Sequence, residues 1–271
     1  MLKNIIGKNK KAFYYYEYGK ANKRVILFLP GYADSAIMYE KIGKSLEKSY
    51  RILALDFPMI HDPNKVYDVD SLTEFVDNFV ESLDINKFTL AGFSSCGLVA
   101  ISYSHKYPSK VRELILLNSV PRFILSKTNR KIFKTLSPLL INRPILFIYS
   151  RLNTTLLFRR MLNLPHISRF TAERMRKYYY SVFGTAVNLI GESLLVRFKK
   201  TKVDKKIIFF KDDTIIPWKR YQDFVEKLDC EVVVFSEGLH ADKSIYWEKL
   251  KTLWLKNPKI EFQDVNIEKG K

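Results

Sequence analysis

The sequence has little cysteine and no long hydrophobic run. Its two cysteines, Cys96 and Cys230, are too few for a disulfide framework or a cysteine-based metal site, so we expect a reducing, cytoplasmic compartment. No apolar run approaches the ~18 residues that a membrane-spanning helix needs, and polar residues interrupt the longest candidate, 144–158. Residues 1–11 lack the continuous apolar stretch of a secretory signal, so we expect none.

Acidic residues are scarce in one third of the chain. The formal net charge is +18. Residues 1–120 contain 16 Lys and Arg against 13 Asp and Glu, and residues 201–271 contain 14 against 13. Residues 121–200, which we call the insert, contain 16 against only 2, a net charge of +14. This uneven distribution predicts that the insert has a different surface from the rest of the chain.

Apolar runs and helical periodicities alternate outside the insert. With 47% hydrophobic residues, the chain can bury a sizeable core. The pattern predicts strands over 12–18, 24–29, 50–55, 87–93, 111–117, 206–210 and 231–235, and helices over 39–48, 71–83, 96–107, 218–228 and 243–255. Strands that alternate with helices of this length predict βαβ units, hence an α/β fold with a mainly parallel sheet and helices on both faces.

The ends of several segments are predicted from single residues. Ser71 is expected to cap the helix that follows it, because its hydroxyl suits a helix N-terminus. The insert is predicted to form several helices, with Thr171 as one N-cap, and the breaks are expected at Pro138, Pro144, Pro165 and Gly184. The polar segment 257–271 is expected to be peripheral.

Ser94 lies where a predicted strand meets a predicted helix, within residues 92–97 (Gly-Phe-Ser-Ser-Cys-Gly). A sharp strand-to-helix turn strains the central residue and exposes its hydroxyl, and it requires small residues two positions before and after. Gly92 meets the first requirement, Cys96 meets the second approximately, and Gly97 adds room one position later. The segment predicts a nucleophilic serine, and the alternative is an ordinary turn that contains two serines.

A serine hydroxyl needs a general base, and the base needs a group that orients it. Asp213 follows the predicted strand 206–210, where a carboxylate can accept a hydrogen bond from a histidine ring; Asp212 is its competitor. His240 follows the next strand, two residues after Gly238. Each residue alone could be a turn or surface residue. Together they follow three predicted strands in the order Ser94, Asp213, His240, and we predict a catalytic triad.

These motifs, with Leu29-Pro30-Gly31-Tyr32 after the early strand, resemble the α/β-hydrolase family over about 12–120 and 202–256. The resemblance implies an α/β-hydrolase core formed by 1–120 and 201–271, and a basic helical cap (lid) formed by the insert. It also implies the roles of the site residues: Ser94 attacks a carbonyl, His240 transfers the proton and Asp213 holds the imidazolium. The backbone N–H groups of Tyr32 and Ser95 would hold the oxyanion.

The chain departs from the family pattern at three places. Pro30 stands where the family often has histidine, and Cys96 stands where it usually has glycine. The Gly-x-Gly-x-Ser stretch usual after the fourth strand is replaced by residues 56–61. None of these differences removes a predicted catalytic group, but they indicate a divergent member.

The predicted function is a carboxylic-ester hydrolase with a preference for apolar acyl groups, working through an acyl-enzyme intermediate. A lactonase or an acyl-thioesterase, including one that acts on carrier-protein-bound acyl groups, would use the same triad. A non-catalytic binding protein on a hydrolase scaffold is the alternative from another class. The sequence has no metal-ligand spacing and no phosphate cradle, so no cofactor or metal is expected.

The composition of the insert predicts that it covers the Ser94 site and also binds a partner. Its apolar residues suit a small-molecule or lipid-like ester substrate, and its charge suits an acidic partner, either an anionic membrane surface or an acyl-carrier protein. A solvated basic surface without a partner is the simpler alternative. No nucleic-acid-binding motif is visible, so no nucleic acid is expected. The expected location is therefore cytoplasmic, with peripheral association at a membrane surface as an option.

Overall fold

The computed structural model describes residues 2–7, 11–31, 34–123, 135, 139, 141–155, 169–236, 250–251, 254 and 265–269. Two residues of the predicted site, Tyr32 and His240, lie outside these ranges, as do Pro138 and Pro165. The helix predicted over 243–255 is described only at 250–251 and 254, which are helical.

The described residues contain one nine-stranded sheet with the strand order β1-β2-β4-β3-β5-β6-β7-β8-β9. The strands are β1 (Leu2–Ile6), β2 (Ala12–Tyr18), β3 (Val25–Leu29), β4 (Arg51–Leu55), β5 (Phe88–Phe93), β6 (Val111–Leu117), β7 (Asp204–Phe210), β8 (Glu231–Phe235) and β9 (Val265–Lys269). The six strands β3 to β8 pair in parallel, and β1, β2 and β9 pair antiparallel at the two edges. The predicted mainly parallel α/β sheet is confirmed.

Helices cover both faces of the sheet. They are α1 (Glu40–Leu46), α2 (Val69–Ser82), α3 (Gly97–Lys106), α4 (Arg143–Asn153), α5 (Arg169–Lys177), α6 (Tyr179–Gly191), α7 (Leu195–Lys200) and α8 (Trp218–Val225), with short 3-10 helices at Ala36–Tyr39, Pro58–Ile60 and Ser94–Cys96. None of the helices in the described ranges combines the length and the apolar character needed to cross a bilayer.

Alternate residues of the parallel strands point to two separate cores, as the period of two in a strand requires. Leu27, Leu90 and Phe209 belong to the core beneath α2, α3 and α8. Their neighbours Phe28, Ala91 and Phe210 belong to the opposite core, which contains Ile42 and Leu46 of α1. Because both faces are covered, the central strands consist of continuous apolar runs, which is why the sequence identifies them.

Two helix starts differ from the sequence prediction. Ser71 does not cap α2: the N-cap is Asp68, whose carboxylate accepts a hydrogen bond from the backbone N–H of Ser71 at 2.7 Å. The Ser71 hydroxyl in turn pairs with the backbone N–H of Asp68, so the two residues form a reciprocal capping box. Thr171 is not an N-cap either, because α5 already begins at Arg169.

The insert also departs from the predicted helix breaks. Gly184 lies inside α6 and does not interrupt it. A Cβ atom at this position would lie 2.6 Å from Cγ2 of Val66, so the glycine serves a close approach between α6 and the loop before α2. Pro144 is in the first turn of α4, where a missing N–H costs no helical hydrogen bond.

The edges of the sheet were not predicted. β1 alternates between exposed and half-buried residues and has no strong apolar pattern. β9 falls in the polar tail that was expected to be peripheral, yet it pairs antiparallel with β8 from Val265 to Lys269.

Candidate active site

Ser94 is the first residue after β5, and its backbone is strained. Its φ is +52°, in the left-handed region that non-glycine residues rarely occupy. The residue opens the 3-10 helix Ser94–Cys96, which continues directly into α3. Such strain costs on the order of 1–3 kcal/mol and persists only where surrounding structure enforces it, as in the strand-to-helix turn that presents a nucleophile.

Two glycines allow this turn to pack closely. A Cβ atom at Gly92 would lie 2.7 Å from Cα of Gly97 and 2.8 Å from Cβ of Ala100. A Cβ atom at Gly97 would lie 2.0 Å from Oγ of Ser119, in the loop after β6. The position that must be glycine after the nucleophile is therefore Gly97, three residues after Ser94. The position two residues after Ser94 accommodates Cys96.

The side chain of Cys96 is fully buried within the same turn. Burial raises the pKa of its thiol, so the thiolate is disfavoured. Cys96 is consequently a small apolar filler beside Ser94, and its sulfur is a poor candidate for a competing nucleophile.

Asp213 is held in a cradle of hydrogen-bond donors and is only 1% exposed. One carboxylate oxygen accepts hydrogen bonds from the backbone N–H groups of Ile215 and Ile216, each at 2.8 Å. The other oxygen accepts a hydrogen bond from Nδ2 of Asn118. These donors fix the carboxylate in one orientation at the end of β7, whereas the competing Asp212 is exposed.

Asn118 is a site residue whose role the sequence did not reveal. It is fully buried, has a φ of +42°, and anchors its own N–H to the carbonyl of Ile208 at 2.8 Å. This backbone bond places the Asn118 side chain beside β7, where it reaches Asp213. The available signal was its position: it is a polar residue directly after a buried strand, next to the strand that precedes Asp213.

The parallel register brings the carboxyl-terminal ends of β5, β6 and β7 together at one end of the sheet, which we call the sheet edge. Phe93 of β5 pairs with Leu117 of β6, and Leu117 pairs with Ile208 of β7. Ser94 and Asp213 therefore leave strands that lie about 10 Å apart, with one strand between them. β8 ends at the same edge, because Phe235 pairs with Phe210 in parallel, so the chain leaves β8 beside the end of β7.

Ser95, the remaining described residue of the predicted site, is 3% exposed and is the second residue of the 3-10 helix. The first N–H groups of a helical segment have no acceptor within it, so they are available to an anion. Tyr32 and His240 lie outside the described residues. The structure thus presents Ser94, Ser95 and Asp213 at one edge of the sheet.

The loop that follows β3 is tied to the end of β4. Oδ1 of Asp56 accepts hydrogen bonds from Oγ of Ser35 at 2.9 Å and from the backbone N–H of Ala36 at 2.5 Å. Its Oδ2 lies 3.2 Å from Nε2 of His61, whose ring stacks on Tyr14 at 4.4 Å. Asp56 is 4% exposed, so it is a buried anchor for the segment that enters the site edge after Gly31.

One cation of the insert faces this acidic edge. Burial lowers the pKa of the Arg174 guanidinium in α5, while the negative charges of Asp56 and Asp34 oppose that shift. Asp34 also lies beside the turn, because a Cβ atom at Gly31 would be 3.2 Å from Oδ2 of Asp34 and 3.1 Å from the Phe93 ring. Arg174 of the insert is therefore close enough to Asp56 and Asp34 to interact with both charges.

The described residues contain no group of three or more His, Cys, Asp or Glu side chains arranged to hold a metal ion. The donors at the site are hydroxyl, amide and backbone N–H groups. This set suits an oxyanion and an acyl group.

Comparison with known proteins identifies the family to which this fold belongs. A family model described as alpha/beta hydrolase fold matches residues 24–244. The chain is 23% identical to YugF, an uncharacterized hydrolase of Bacillus subtilis, over 218 residues that cover 75% of this chain and 78% of the relative. It is 30% identical over 101 residues to a pimeloyl-[acyl-carrier protein] methyl ester esterase of Pseudoalteromonas atlantica, covering 36% of this chain and 38% of the relative. An esterase structure from Exiguobacterium antarcticum superposes with a TM-score of 0.66 at 20% identity, over 94% of this chain and 98% of that one.

Proposed function

Because the chain belongs to the alpha/beta hydrolase family, we propose that it is a serine hydrolase that cleaves carboxylic esters. The observation that carries the proposal is the strained backbone of Ser94 at the strand-to-helix turn, together with the oriented carboxylate of Asp213 after β7 at the same end of the sheet. A surface turn that merely contains a serine has no need for this strain or for a buried carboxylate held by three donors.

The proposed reaction proceeds in two halves. Oγ of Ser94 attacks the ester carbonyl while His240 takes its proton, and the tetrahedral oxyanion is bound by the backbone N–H groups of Ser95 and Tyr32. The protonated imidazole, stabilised by Asp213, gives the proton to the leaving alcohol as the acyl-enzyme forms. Water then attacks the acyl-enzyme with His240 again as the base, which releases the acid and restores Ser94.

The position of His240 in the chain is compatible with this role. Ser236, the last described residue before it, follows the end of β8 at the catalytic edge of the sheet. The four residues from Ser236 to His240 span at most about 14 Å, which is long enough to reach the space between the ends of β5 and β7. An imidazole in that space is able to hydrogen-bond to a hydroxyl on one side and a carboxylate on the other.

The insert supports a preference for apolar acyl groups. Helix α6 packs against the 3-10 helices Ser94–Cys96 and Pro58–Ile60. Met175 of α5 and Phe183 of α6 are each 4% exposed and belong to the same core as the buried residues of α3. We propose that this packing makes the insert a roof over the site and that apolar side chains line the acyl pocket.

The test is hydrolysis of p-nitrophenyl esters with acyl chains of two to about twelve carbons. We expect activity that depends on chain length and falls at least about 1000-fold in Ser94→Ala. Ser95→Ala is the matched control, because it keeps the backbone N–H that the mechanism uses. A folded protein with no activity above Ser94→Ala on any ester would contradict the proposal.

A thioester or a carrier-bound acyl ester is the second candidate substrate, since the same tetrahedral intermediate serves both bonds. The carrier-bound ester is favoured by the resemblance to an esterase whose name specifies a methyl ester on an acyl-carrier-protein-bound group. The thioester is a candidate only because the chemistry is shared. Rates on an acyl ester, a lactone and an acyl thioester of equal acyl length would separate the candidates. A higher kcat/KM on the thioester would replace the ester as the proposed substrate and leave the triad proposal intact.

A further inference from the structure

Helix α4 exposes aliphatic side chains and buries polar ones. Ile145, Ile148 and Leu152 are 49%, 59% and 46% exposed, and their spacing of three and four residues places them in one stripe. On the opposite face, Ser150 and Asn153 are 0% and 2% exposed. Leu146, 4% exposed, is the apolar residue on this buried face. An ordinary surface helix buries most of its large apolar residues, so folding alone does not explain the exposed apolar stripe.

Aromatic residues widen the stripe and are held in place. Phe147 and Tyr149 are 43% and 39% exposed. The Phe147 ring lies 5.5 Å from Tyr179 and the Tyr149 ring lies 5.0 Å from Phe183, both on α6. Because these contacts fix one edge of each ring, the other edge is presented to solvent at little entropic cost on binding.

Exposed arginines stand at both ends of the same helix. The Arg151 guanidinium lies 4.9 Å from the Phe147 ring, and the Arg143 guanidinium lies 4.5 Å from the ring of Tyr180. Arg151 is three residues after Ile148, so its charge borders the apolar stripe. Arg143 lies on the opposite side of α4 from Ile145, where it also donates to Oδ1 of Asn64 at 3.3 Å. We call the exposed side chains of Ile145, Phe147, Ile148, Tyr149, Arg151 and Leu152 the α4 surface.

We propose that the α4 surface docks on an anionic lipid bilayer. An amphipathic helix whose apolar side chains lie beside a cation, in an insert with a net charge of +14, suits the headgroup boundary of an anionic bilayer. A bilayer needs no complementary pocket to accommodate such a helix. A second copy of this chain is a poor occupant, because it would bring a second insert with a net charge of +14 against the first.

Docking at this surface would place lipid close to the candidate site. α4 packs against α5 and α6, and α6 packs against the 3-10 helix that contains Ser94. Nε of Arg176 in α5 donates to Oγ1 of Thr154, directly after α4, at 2.7 Å. The helices between the α4 surface and Ser94 therefore form one packed group. The proposal goes beyond ester hydrolysis, because binding is measured without turnover.

The experiment is flotation of the full chain carrying Ser94→Ala with vesicles of pure phosphatidylcholine or of phosphatidylcholine with one third phosphatidylglycerol. We expect binding to the anionic vesicles that weakens as salt is raised, and little binding to the neutral ones. The triple variant Ile145→Ser/Ile148→Ser/Leu152→Ser should weaken binding by about thirtyfold or more. Arg151→Gln should weaken binding by about fivefold and reduce its salt dependence.

Val196→Ser is the matched control, because Val196 also lies in the insert and is 64% exposed but is outside the α4 surface. It should bind vesicles as the parent does. Circular dichroism shows whether each variant is folded, which separates a docking defect from misfolding. Each variant is also remade with Ser94 intact and assayed on a short soluble ester, so that failure of the hydrolase proposal is seen independently of vesicle binding. The proposal is overturned if anionic vesicles do not bind, or if the triple variant binds like Val196→Ser. It is equally overturned if the stripe instead mediates dimerisation or binds only an acidic carrier protein.

Discussion

The sheet edge, which carries Ser94 and Asp213, and helix α4 show opposite uses of polar residues. At the sheet edge, Asp213 and Asp56 are buried and each is held by donors from neighbouring loops. In α4, Ile148 and Leu152 face solvent while Asn153 is buried. Buried polar groups that are fully paired fix a geometry, whereas exposed apolar groups bordered by a cation offer a surface. This difference underlies our proposals that the Ser94 region carries out a reaction and that the α4 surface docks on a partner.

Among the variants at the sheet edge, Asp213→Asn is expected to have the largest effect on activity. The substitution removes the charge that stabilises an imidazolium, so ester hydrolysis should fall by about 1000- to 10 000-fold while the fold persists. Asp212→Asn is the matched control, because Asp212 is exposed and adjacent. Its activity should stay within about threefold of the parent. Loss of activity in Asp212→Asn with retention in Asp213→Asn would exchange the roles of the two residues.

A pair of glycine substitutions compares how tightly the sheet edge and α6, the helix on which α4 packs, are packed. Gly97→Ala places a Cβ atom 2.0 Å from Ser119 Oγ, and we expect a loss of about 1–3 kcal/mol of unfolding free energy in urea titrations. Gly184→Ala meets a methyl group of Val66 at 2.6 Å. Because alanine favours a helix interior by about 1 kcal/mol, the net change there should stay within about 1 kcal/mol.

The double variant Gly97→Ala/Ser119→Gly controls the first of these substitutions. It removes the side chain that the added methyl group would meet, so most of the lost stability should return. Equal losses in Gly97→Ala and Gly184→Ala would contradict the view that the sheet edge is the more tightly packed region.

Asp56→Ala tests whether the loop after β3 is held for catalysis. Removing the carboxylate frees Ser35 and Ala36, so we expect kcat for a short ester to fall about tenfold with KM nearly unchanged. His61→Gln is the control, because it leaves the bonds to Ser35 and Ala36 intact, and it should alter kcat by less than about threefold. A change in KM alone would assign Asp56 to substrate binding.

The smallest expected effect concerns the stability in acid that Glu17 of β2 gives, away from both compared regions. Burial alone raises the pKa of Glu17, but hydrogen bonds from Lys3 and Arg51 outweigh it, so the pKa lies below its ordinary value of 4.5. A lowered pKa means that ionised Glu17 stabilises the folded state above about pH 4.5 and that this contribution is lost as the pH falls through the folded-state pKa.

Urea titrations across this acid range check the effect. Glu17→Gln should flatten the fall of unfolding free energy below pH 4.5. Glu74→Gln is the control, because the Glu74 side chain is 65% exposed and should leave the slope unchanged. An unchanged slope in Glu17→Gln would contradict the assignment.

The sequence predicted the parallel strands well, because burial on both faces leaves continuous apolar runs such as Val25–Leu29. It missed β1 and β9, because edge strands are held by backbone pairing and need no apolar pattern. It also misassigned Gly184, since a close approach to Val66 is invisible without the fold.

For the candidate site, local motifs pointed to Ser94 and Asp213, whose catalytic roles stay predictions, but not to the residues that hold them in place. Asn118 reaches Asp213 across neighbouring strands, a relation that depends on sheet order. The same limit applies to Asp56, which reaches Ser35 and Ala36 across about twenty residues of sequence. The roles of Tyr32 and His240 remain sequence predictions.

The most direct test of the serine-hydrolase proposal is labelling of the native protein with a fluorophosphonate probe, followed by peptide mapping. We predict a single adduct on Ser94 that is absent after heat denaturation and in Ser94→Ala, and that forms much more slowly in Asp213→Asn. A folded protein that remains unlabelled, or an adduct that persists in Ser94→Ala, would contradict the proposal and favour a non-catalytic binding protein.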